Sequence, residues 1–597
     1  MPSLLEQLPN EIVLDILQYL EPLDLFESFN HLNWRFNHLL SVLMLSVKIN
    51  DTLSKHLFDN YCITVIPKCL IQIVSLKISD RYGRLTQFHK LFQLDMFMNI
   101  RSLILQDPTH DNLKLIMKKL SKLIHIEQLE IASFGPDKLD LNSCSKTMTE
   151  AIFQKKTTLK RVTLSFYSSI ILDQTTIQTC NIEYLNMYAC YIDEFVTLLK
   201  HLPKIKRLDI HIYNSRNSDD TTDYEIYQNI GKYVPNLTYV EIHVSHIEFD
   251  KTEQLLKNIP QLKILAFSGE DPLYLYCYLF TASLVEYANG IRWEKLINES
   301  LPLLERFSLC IEDGIFTDII NIDSIIQSFS TPFWILEREW YIVVDYIHKS
   351  ESNEFLLYTV PRSKGSSLTI QLYKMQTATT APSTLENMYT KTDRLTVKLN
   401  NVHVPLIVKQ FSDVKALTLY SDLTSVDNTT TPIFDDLSKL VLLVNLESLH
   451  LYDKYYPSNL LKVILVTASN IINLSAPYNV LLEITDSETF SNLTSLTVTM
   501  NDDDDHFNVK VLKQSSFILD NLRYFYVELK KVDDLYLVLS LVLRKVKTLH
   551  GFVVSVANGT FSEYFQLWLN DYLSLNGLLS ITGIEYNHAC NNLALSY

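Results

Sequence analysis

The first forty residues carry apolar side chains at a helical spacing. Ile12, Ile16 and Leu20 recur every four residues, so they share one face of a predicted helix. Pro9 suits the first turn, because a backbone N–H would have no partner there, and Glu11 puts negative charge near the positive end of the helix dipole. The pattern therefore predicts a helix that begins near Pro9 and has an apolar face in need of a cover.

Two further short helices are predicted after the first. The Glu21-Pro22 step ends the first helix, since proline cannot continue the helical hydrogen bonds. Apolar positions then return at Leu25, Phe26, Phe29, Leu32, Phe36, Leu39 and Leu40. Three helices in about forty residues make a core too small to be stable alone, so we expect a partner surface to complete it.

A short apolar pattern repeats through the rest of the chain. Each copy reads apolar, two others, apolar, one other, apolar, and the copies begin at Ile73, Ile100, Ile126, Leu159, Ile182, Ile205, Leu237, Leu262, Leu304, Val414, Leu446, Leu493 and Leu522. Most steps overlap the period of about 20 to 29 residues that leucine-rich repeats have. A second mark strengthens the pattern, because a proline lies two residues before four of the copies, at Pro203, Pro235, Pro260 and Pro302.

Each repeat predicts a helix, a sharp stop and a strand. Proline ends the helix and favours extended backbone before it, and the strand that follows points alternate side chains inward. One unit cannot close a core, so strands of neighbouring units should pair in a parallel sheet covered by helices. Over most of residues 70–555 the chain thus resembles a leucine-rich-repeat arc, although the asparagine that usually closes each strand turn is mostly absent.

The N-terminal helices also resemble a known motif. The segment from Leu8 to Leu40 is similar to the F-box, which docks substrate receptors onto the Skp-type adaptor of a Skp, cullin, F-box ubiquitin ligase. The similarity covers Leu8-Pro9-Asn10-Glu11-Ile12, Leu23-Asp24-Leu25 and Arg35-Phe36. It implies that the adaptor is bound by Leu8, Pro9, Ile12, Leu23 and Leu25. The alternative is a helical hairpin that caps the next domain.

The predicted fold class is α/β, with an N-terminal three-helix F-box followed by an irregular leucine-rich-repeat solenoid, a curved parallel sheet with outer helices. The predicted divisions are an F-box at 1–45, a connecting helix at 46–70, the first half of the arc at 71–330, an insertion or seam at 331–390, the second half at 391–580 and a C-terminal tail at 581–597. Between Cys310 and Val414 two interpretations stay open. Phe333 to Val344 looks β-rich and the following polar stretches look loop-like, but Leu368 and Leu395 could also begin strands of degenerate repeats.

Composition excludes several classes of partner. The 597-residue chain has a net charge of −16, so it lacks the basic field that holds nucleic-acid phosphates. Its eight cysteines are scattered without closely spaced pairs, which is typical of reduced thiols in the cytoplasm or nucleus and gives no zinc signature. No apolar run approaches the about 20 residues that a membrane helix needs. We expect neither nucleic acid nor membrane as a partner.

The candidate substrate surface follows from strand alternation. Residues between the apolar positions of each strand project to the face opposite the helices. The candidate substrate-binding residues on that face are Arg161, Tyr184, Tyr188, Arg207, Asp209, Tyr239 and Glu241. Tyrosine and arginine dominate binding hot spots, although tyrosine also favours exposed strand positions by propensity alone. His211 and His243 could approach one another there, but they make a weak case for a metal.

The sequence predicts a binding protein without catalysis of its own. It contains no nucleophile elbow, phosphate-binding loop, dinucleotide fingerprint or zinc-protease motif, and no cofactor is expected. The resemblances imply the substrate-recognition subunit of a cullin-type ubiquitin ligase, which binds a Skp-type adaptor and cullin through the F-box and a protein substrate through the repeats. The alternative is a scaffold with the same parts that binds partners without promoting ubiquitination.

Overall fold

The structure is a computed structural model of the whole chain. It describes residues 5–49, 55–80, 83–133, 141–155, 157–166, 172, 175–214, 227–245, 247–270, 284–316, 321–348, 353–360, 366–371, 375–382, 392–399, 411–421, 437, 441–452, 456, 458–477, 480–481, 492–499, 522–529, 538, 551–556, 583–587 and 592–596. The chain forms two compact units, of which unit 1 comprises 1–287 and 292–307 and unit 2 comprises 288–291 and 308–597.

The helices are short and the strands are numerous. The α-helices are α1 (Asn10–Leu17), α2 (Pro22–Phe29), α3 (Trp34–Val42), α4 (Lys55–Asn60), α5 (Ile66–Cys69), α6 (Arg84–Leu91), α7 (His110–Leu120), α8 (Leu141–Ile152), α9 (Ile192–Leu199), α10 (Ile230–Tyr233), α11 (Phe249–Lys257), α12 (Gly290–Ser300), α13 (Ile322–Ser328) and α14 (Ser458–Thr467). The strands are β1 (Leu45–Ile49), β2 (Ile73–Ser79), β3 (Ser102–Gln106), β4 (Gln128–Ser133), β5 (Arg161–Phe166), β6 (Tyr184–Tyr191), β7 (Arg207–Tyr213), β8 (Tyr239–Ser245), β9 (Ile264–Glu270), β10 (Arg306–Phe316), β11 (Tyr341–His348), β12 (Asn353–Val360), β13 (Ser366–Gln371), β14 (Met375–Thr379), β15 (Thr392–Leu399), β16 (Ala416–Ser421), β17 (Ser448–Leu451), β18 (Asn473–Pro477), β19 (Ser495–Thr499), β20 (Tyr524–Leu529), β21 (Gly551–Val556), β22 (Gly583–Asn587) and β23 (Asn592–Ser596).

Unit 1 is a stack of strand and helix repeats. Strands β1 to β9 pair side by side in the order of the sequence, and each neighbouring pair is parallel. The second apolar position of each predicted triplet forms one column in register: Leu76, Leu103, Leu129, Val162, Leu185, Leu208, Val240 and Leu265. All of these side chains are buried. The triplet pattern is therefore confirmed as the strand core of a leucine-rich-repeat-like solenoid.

Amide side chains connect successive repeats at a position that the sequence analysis did not consider. The residue just before a triplet donates to a carbonyl of the preceding repeat in Asn99 to Ile71 (2.7 Å), Asn236 to Pro203 (3.1 Å) and Gln261 to Val234 (2.7 Å) in unit 1. Unit 2 repeats the contact in Asn445 to Ser412 (2.9 Å), Asn470 to Val444 (2.8 Å) and Asn492 to Ser469 (2.8 Å). The usual strand-turn asparagine is scarce, and an amide at another phase supplies the link between repeats.

Unit 2 contains a second set of parallel strands. β13 and β15 to β21 pair in parallel in the order of the sequence, and β23 and β22 continue the sheet in antiparallel. A buried column again runs across the repeats, through Leu395, Leu417, Leu449, Leu474, Leu496 and Phe525. The same triplet therefore builds both units.

Residues 331–390 contain elements of both interpretations that the sequence left open. Phe333–Glu337 is a π-helical turn instead of the start of a β-rich stretch, because Trp334 packs there fully buried against Phe329 and Phe333. β12 pairs antiparallel with β10 and β11, and β14 pairs antiparallel with β11, which interrupts the parallel order. β13 nevertheless pairs in parallel with β15, which is the pairing of degenerate repeats.

Two other segments differ from their expected role. The predicted connection at 46–70 is largely helical, but the sheet already begins at β1, where Leu45, Val47 and Ile49 alternate with exposed residues and are buried. The expected C-terminal tail contains β22 and β23, which pair with each other. In both places the added strands pair with the end of a sheet. The backbone hydrogen-bonding groups of β2 and β21 would otherwise be unpaired on that side.

The cysteines of the described part are free thiols. Cys62, Cys69, Cys144, Cys180 and Cys190 are buried, whereas Cys277 and Cys590 lie outside the described residues. Burial raises the pKa of Cys62 and of Cys69 to about 12, so both stay protonated at neutral pH. Within the described residues no helix combines the length and the apolar character required to span a bilayer.

Candidate functional site

The first candidate surface is the exposed side of α1. Val13 and Leu17 of this helix are fully buried, whereas Ile12, Ile16 and Leu20 are 46%, 40% and 37% exposed. α1 ends at Leu17, so Leu20 lies just beyond the helix and Pro9 caps its start. The helix therefore buries one apolar row inside unit 1 and leaves the other row at the surface, where it is available to a partner.

Polar contacts fix the segment that leads into α1. Arg35 of α3 donates to the Glu6 and Leu8 carbonyl oxygens and to the Asn10 side chain, the last at 2.7 Å. Asn33 accepts from the Phe36 backbone N–H at 3.0 Å, which caps α3, and donates to the Glu6 carboxylate at 2.9 Å. Arg35 of α3 and Asn33, which caps that helix, thus hold the start of α1 in place.

The structure separates the predicted adaptor-binding residues into two groups. Pro9 and Ile12 are exposed and Leu8 is half-buried, so these three share the outer surface of the segment. Leu23 and Leu25 are 8% and 1% exposed, because α2 turns them into the core of unit 1. Contact of Leu23 or Leu25 with a partner would require α2 to move. The exposed row instead contains Ile16 and Leu20, together with Ile12.

The second candidate surface is the polar strand face, which we define as the outward side chains of β5 to β8. Arg161, Tyr184, Arg207 and Tyr239 lie opposite one another in register across these strands. The Arg207 guanidinium lies 4.0 Å from the Tyr239 ring centroid and 5.5 Å from that of Tyr184. The two rings thus hold Arg207 by cation–π contacts.

The next row of this face is acidic. Asp209 and Glu241 lie opposite one another on β7 and β8, and His243 lies 3.8 Å from the first carboxylate and 3.9 Å from the second. Asn186 donates to Asp209 at 2.6 Å, and the Tyr239 hydroxyl donates to Glu241 at 2.9 Å. Burial, followed by the charge of Glu241, raises the pKa of Asp209 above its usual range.

Aromatic and serine side chains complete the polar strand face beyond the acidic row. Tyr188 is 46% exposed and meets the His211 ring edge-on at 5.1 Å, while Tyr213 stacks on the same ring at 4.8 Å. Burial lowers the pKa of His211 to about 4, so the ring is neutral at pH 7. Its Nε2 lies 2.8 Å from the Ser245 hydroxyl. Sequence analysis placed Tyr188 and His211 on this face but did not identify Tyr213 or Ser245.

This geometry suits recognition more than chemistry. The predicted substrate residues from Arg161 to Glu241 share one sheet face, and Arg207, Asp209 and Glu241 have partners within that face. The two histidine rings lie 6.1 Å apart, and each ring has a serine hydroxyl within hydrogen-bonding distance. In the described part of the chain no group of three or more His, Cys, Asp or Glu side chains could hold a metal. Stacked repeats of this kind present extended surfaces for binding.

Replacing Asp209 by asparagine should change how stability depends on pH. The native pKa of Asp209 is above the unfolded value of about 3.9, so the native state binds its proton more tightly and stability falls as the pH rises through this window. The asparagine side chain in Asp209→Asn is uncharged and keeps an oxygen that can accept a hydrogen bond from Asn186. We expect the urea midpoint of the variant, relative to that of the original protein, to rise between pH 3.5 and pH 7. Glu130→Gln, in the same row three strands away, is the control, and a pH-independent difference for Asp209→Asn would contradict the expectation.

Comparisons with known proteins find likeness only among solved structures. No family model and no curated protein sequence matches the chain. TLR13 in its complex with ssRNA13 is 12% identical with a TM-score of 0.27, covering 88% of this chain and 85% of that chain. An internalin (inlF) from Listeria monocytogenes str. 4b F2365 is 11% identical with a TM-score of 0.18, covering 82% of this chain and 89% of that chain. Neither likeness bears on what this chain binds.

Proposed function

We propose that this protein is the substrate-recognition subunit of a cullin-type ubiquitin ligase. In this proposal the three N-terminal helices act as an F-box that binds a Skp-type adaptor and thereby a cullin. The polar strand face binds a protein substrate. The chain performs no bond chemistry itself and acts by bringing the substrate close to a ubiquitin-charged enzyme.

The observation that supports the adaptor end is the uncovered apolar row of α1. Exposing Ile12, Ile16 and Leu20 side by side is unfavourable for a protein without a partner, because completing the burial of each side chain would add part of the about 1.5–3 kcal/mol that full burial gives. The contacts of Arg35 and Asn33 hold this row rigidly, which lowers the entropic cost of binding. An adaptor helix with a complementary apolar face is the partner that the F-box resemblance suggests.

The polar strand face supports the substrate end. Tyr184, Arg207 and Tyr239 provide partly exposed aromatic and guanidinium surfaces held by contacts to one another, and the exposed ring of Tyr188 is held against His211. Residues of these types dominate the affinity of protein interfaces. Since they come from neighbouring strands in fixed register, they form one contiguous surface.

The adaptor end is tested by co-purification of the full chain with a Skp-type adaptor and cullin. Ile12→Asp combined with Ile16→Asp should weaken adaptor binding about 100-fold or more, because two apolar contacts are lost and charges are buried in their place. Val463→Asp with Val466→Asp is the matched control, since those residues are also exposed on a helix, at 40% and 62%. Adaptor binding that survives the α1 substitutions would remove the docking assignment.

The substrate end is tested on a partner captured by the full chain. Tyr188→Ala and Arg207→Glu should each weaken its binding by about ten-fold or more, as hot-spot truncations do. Binding that is unchanged in both variants would remove the polar strand face as the substrate site. Ubiquitin transfer to this partner in a reconstituted ligase separates a substrate receptor from a scaffold that binds the same proteins without ubiquitination.

A further inference from the structure

A second exposed apolar row lies on unit 1, apart from α1. Ile71, Met98 and Ile124 are 60%, 63% and 67% exposed. Each lies five residues before one of the aligned core leucines Leu76, Leu103 and Leu129, so the three occupy equivalent positions in the chain that leads into β2, β3 and β4. We call these three residues the apolar edge.

The three residues of the apolar edge precede strands that are neighbours in the sheet. Neighbouring strands lie about 5 Å apart, so the three side chains span about 10 Å across the sheet. The side chain of Asn99, next to Met98, donates to the Ile71 carbonyl at 2.7 Å and fixes the first two repeats at this point. In four later repeats the same position holds Pro203, Pro235, Pro260 and Pro302, whose rings replace the longer apolar side chains of the first repeats.

The end of α3 extends this surface. Buried Gln72, the neighbour of Ile71, donates to the Leu40 and Leu43 carbonyl oxygens at 2.6 and 2.9 Å. Those bonds bring the end of α3 to the start of β2. Met44 follows directly and is 61% exposed. An apolar surface of several repeats is more than the scattered exposed side chains that monomeric proteins usually carry.

Three lysines lie in the helix ends that lead toward the apolar edge, in a chain whose net charge is −16. Lys90 and Lys118 lie in the last turns of α6 and α7, which end at this side of the sheet, and both are exposed. Lys122 follows α7 and lies 3.6 Å from Asp95. Lysines near helix ends stabilise the helix dipole, but that role does not account for the apolar side chains between them.

We propose that the apolar edge binds an acidic amphipathic helix of a partner protein. A helix presents apolar side chains at positions i, i+3 or i+4 and i+7 over about 10.5 Å, which matches the span of Ile71, Met98 and Ile124. Its acidic flanks would face Lys90, Lys118 and Lys122. The charge of the whole chain disfavours an anionic lipid surface as the occupant, because approach to lipid would bring the many carboxylates near the same negative charge.

The test uses the full chain and a labelled synthetic peptide with leucines at helical spacing and glutamate and alanine at most other positions. A peptide with lysine in place of glutamate and a scrambled acidic peptide are measured beside it, together with phosphatidylcholine vesicles that contain phosphatidylserine. The acidic helix should bind best, with an affinity that falls as salt is added. Met98→Ser with Ile124→Ser should weaken it by about ten-fold or more.

Matched controls separate this surface from the rest of the molecule. Leu303→Ser, which removes a 54% exposed leucine, should leave peptide binding unchanged, and so should the α1 substitutions Ile12→Asp and Ile16→Asp. Since those α1 substitutions are expected to weaken adaptor binding in the proposed function and to leave peptide binding unchanged, the two proposals fail separately. Equal binding of the scrambled peptide, full affinity in the Met98 and Ile124 variant, or capture of vesicles in place of the peptide would overturn the inference. The inference would also be overturned if the chain associates with itself and the Met98→Ser, Ile124→Ser variant abolishes that self-association.

Discussion

Trp293→Ala is expected to lower the free energy of unfolding of unit 1 by about 3–5 kcal/mol, the usual cost of truncating a buried tryptophan. Trp293 is fully buried in α12, and its ring centroid lies 4.7 Å from that of Phe249, 5.4 Å from Phe267 and 5.2 Å from Phe307. Its indole N–H also donates to the Tyr287 carbonyl at 2.9 Å. Truncation therefore leaves a cavity among three rings and a buried carbonyl without this donor.

The effect should be local to the repeats around β9. Urea unfolding followed by circular dichroism gives the shift of the midpoint, and hydrogen exchange of β8 and β9 shows where protection is lost. Trp34→Ala is the control, because Trp34 is 80% exposed and stacks only on His38 in the ring contacts of the described residues. Equal shifts for the two variants would contradict the assignment of Trp293 to the core.

The repeat fold could be predicted from sequence because two independent signals coincide. The apolar triplet fixes which strand residues point inward, since the side-chain period of a strand is two. Pro203 and its equivalents fix where each helix stops. A pattern that recurs with both marks specifies strand, register and order together, and the aligned column from Leu76 to Leu265 follows from it.

The inner and outer faces of α1 could not be predicted in the same way. Val13 and Leu17 are as apolar as Ile12 and Ile16, so periodicity identifies two candidate rows without showing which is buried. The choice depends on where α2, α3 and β1 pack, which is tertiary information. Leu23 and Leu25 were assigned to a partner from family resemblance, whereas packing turns both into the core. Burial within the chain and burial against a partner leave the same hydrophobic signal.

The polar strand face was predicted in outline only. Alternation places Arg207, Asp209 and His211 on one face, but it does not show that Arg207 lies between two tyrosine rings or that Ser245 approaches His211. Those contacts depend on side-chain rotamers and on the strand register across repeats of unequal length. Chain distance is no guide here, because His211 and Ser245 are separated by 34 positions.

Asp80 shows most clearly what periodicity misses. It follows β2 between Ser79 and Arg81 in a chain with 68 Asp and Glu, and nothing in its spacing sets it apart. In the structure it is 3% exposed and accepts from the Leu85 N–H at 3.0 Å, the Thr109 N–H at 3.1 Å and the Asn112 amide at 2.7 Å. Gly83, with φ of 66°, provides the turn that brings α6 back to this carboxylate. One side chain thus joins the end of β2 to the starts of α6 and α7.

Asp80→Ala should therefore destabilise unit 1 by about 3–5 kcal/mol, because it leaves several buried donors without an acceptor at once. Asp80→Asn keeps one acceptor oxygen and should cost less, about 1–3 kcal/mol. Urea unfolding of Asp80→Ala, Asn112→Ala and the double variant gives a double-mutant cycle. The two losses of stability should not add, because Asn112 donates to Asp80 and also to Thr86, at 2.7 Å, so both residues belong to one hydrogen-bond network. Additive losses, or an alanine variant no less stable than the asparagine variant, would show that the carboxylate does not hold these helices. Adaptor binding through α1 should survive in the Asp80→Asn variant, since the Arg35 and Asn33 contacts that position α1 involve no atom of this network.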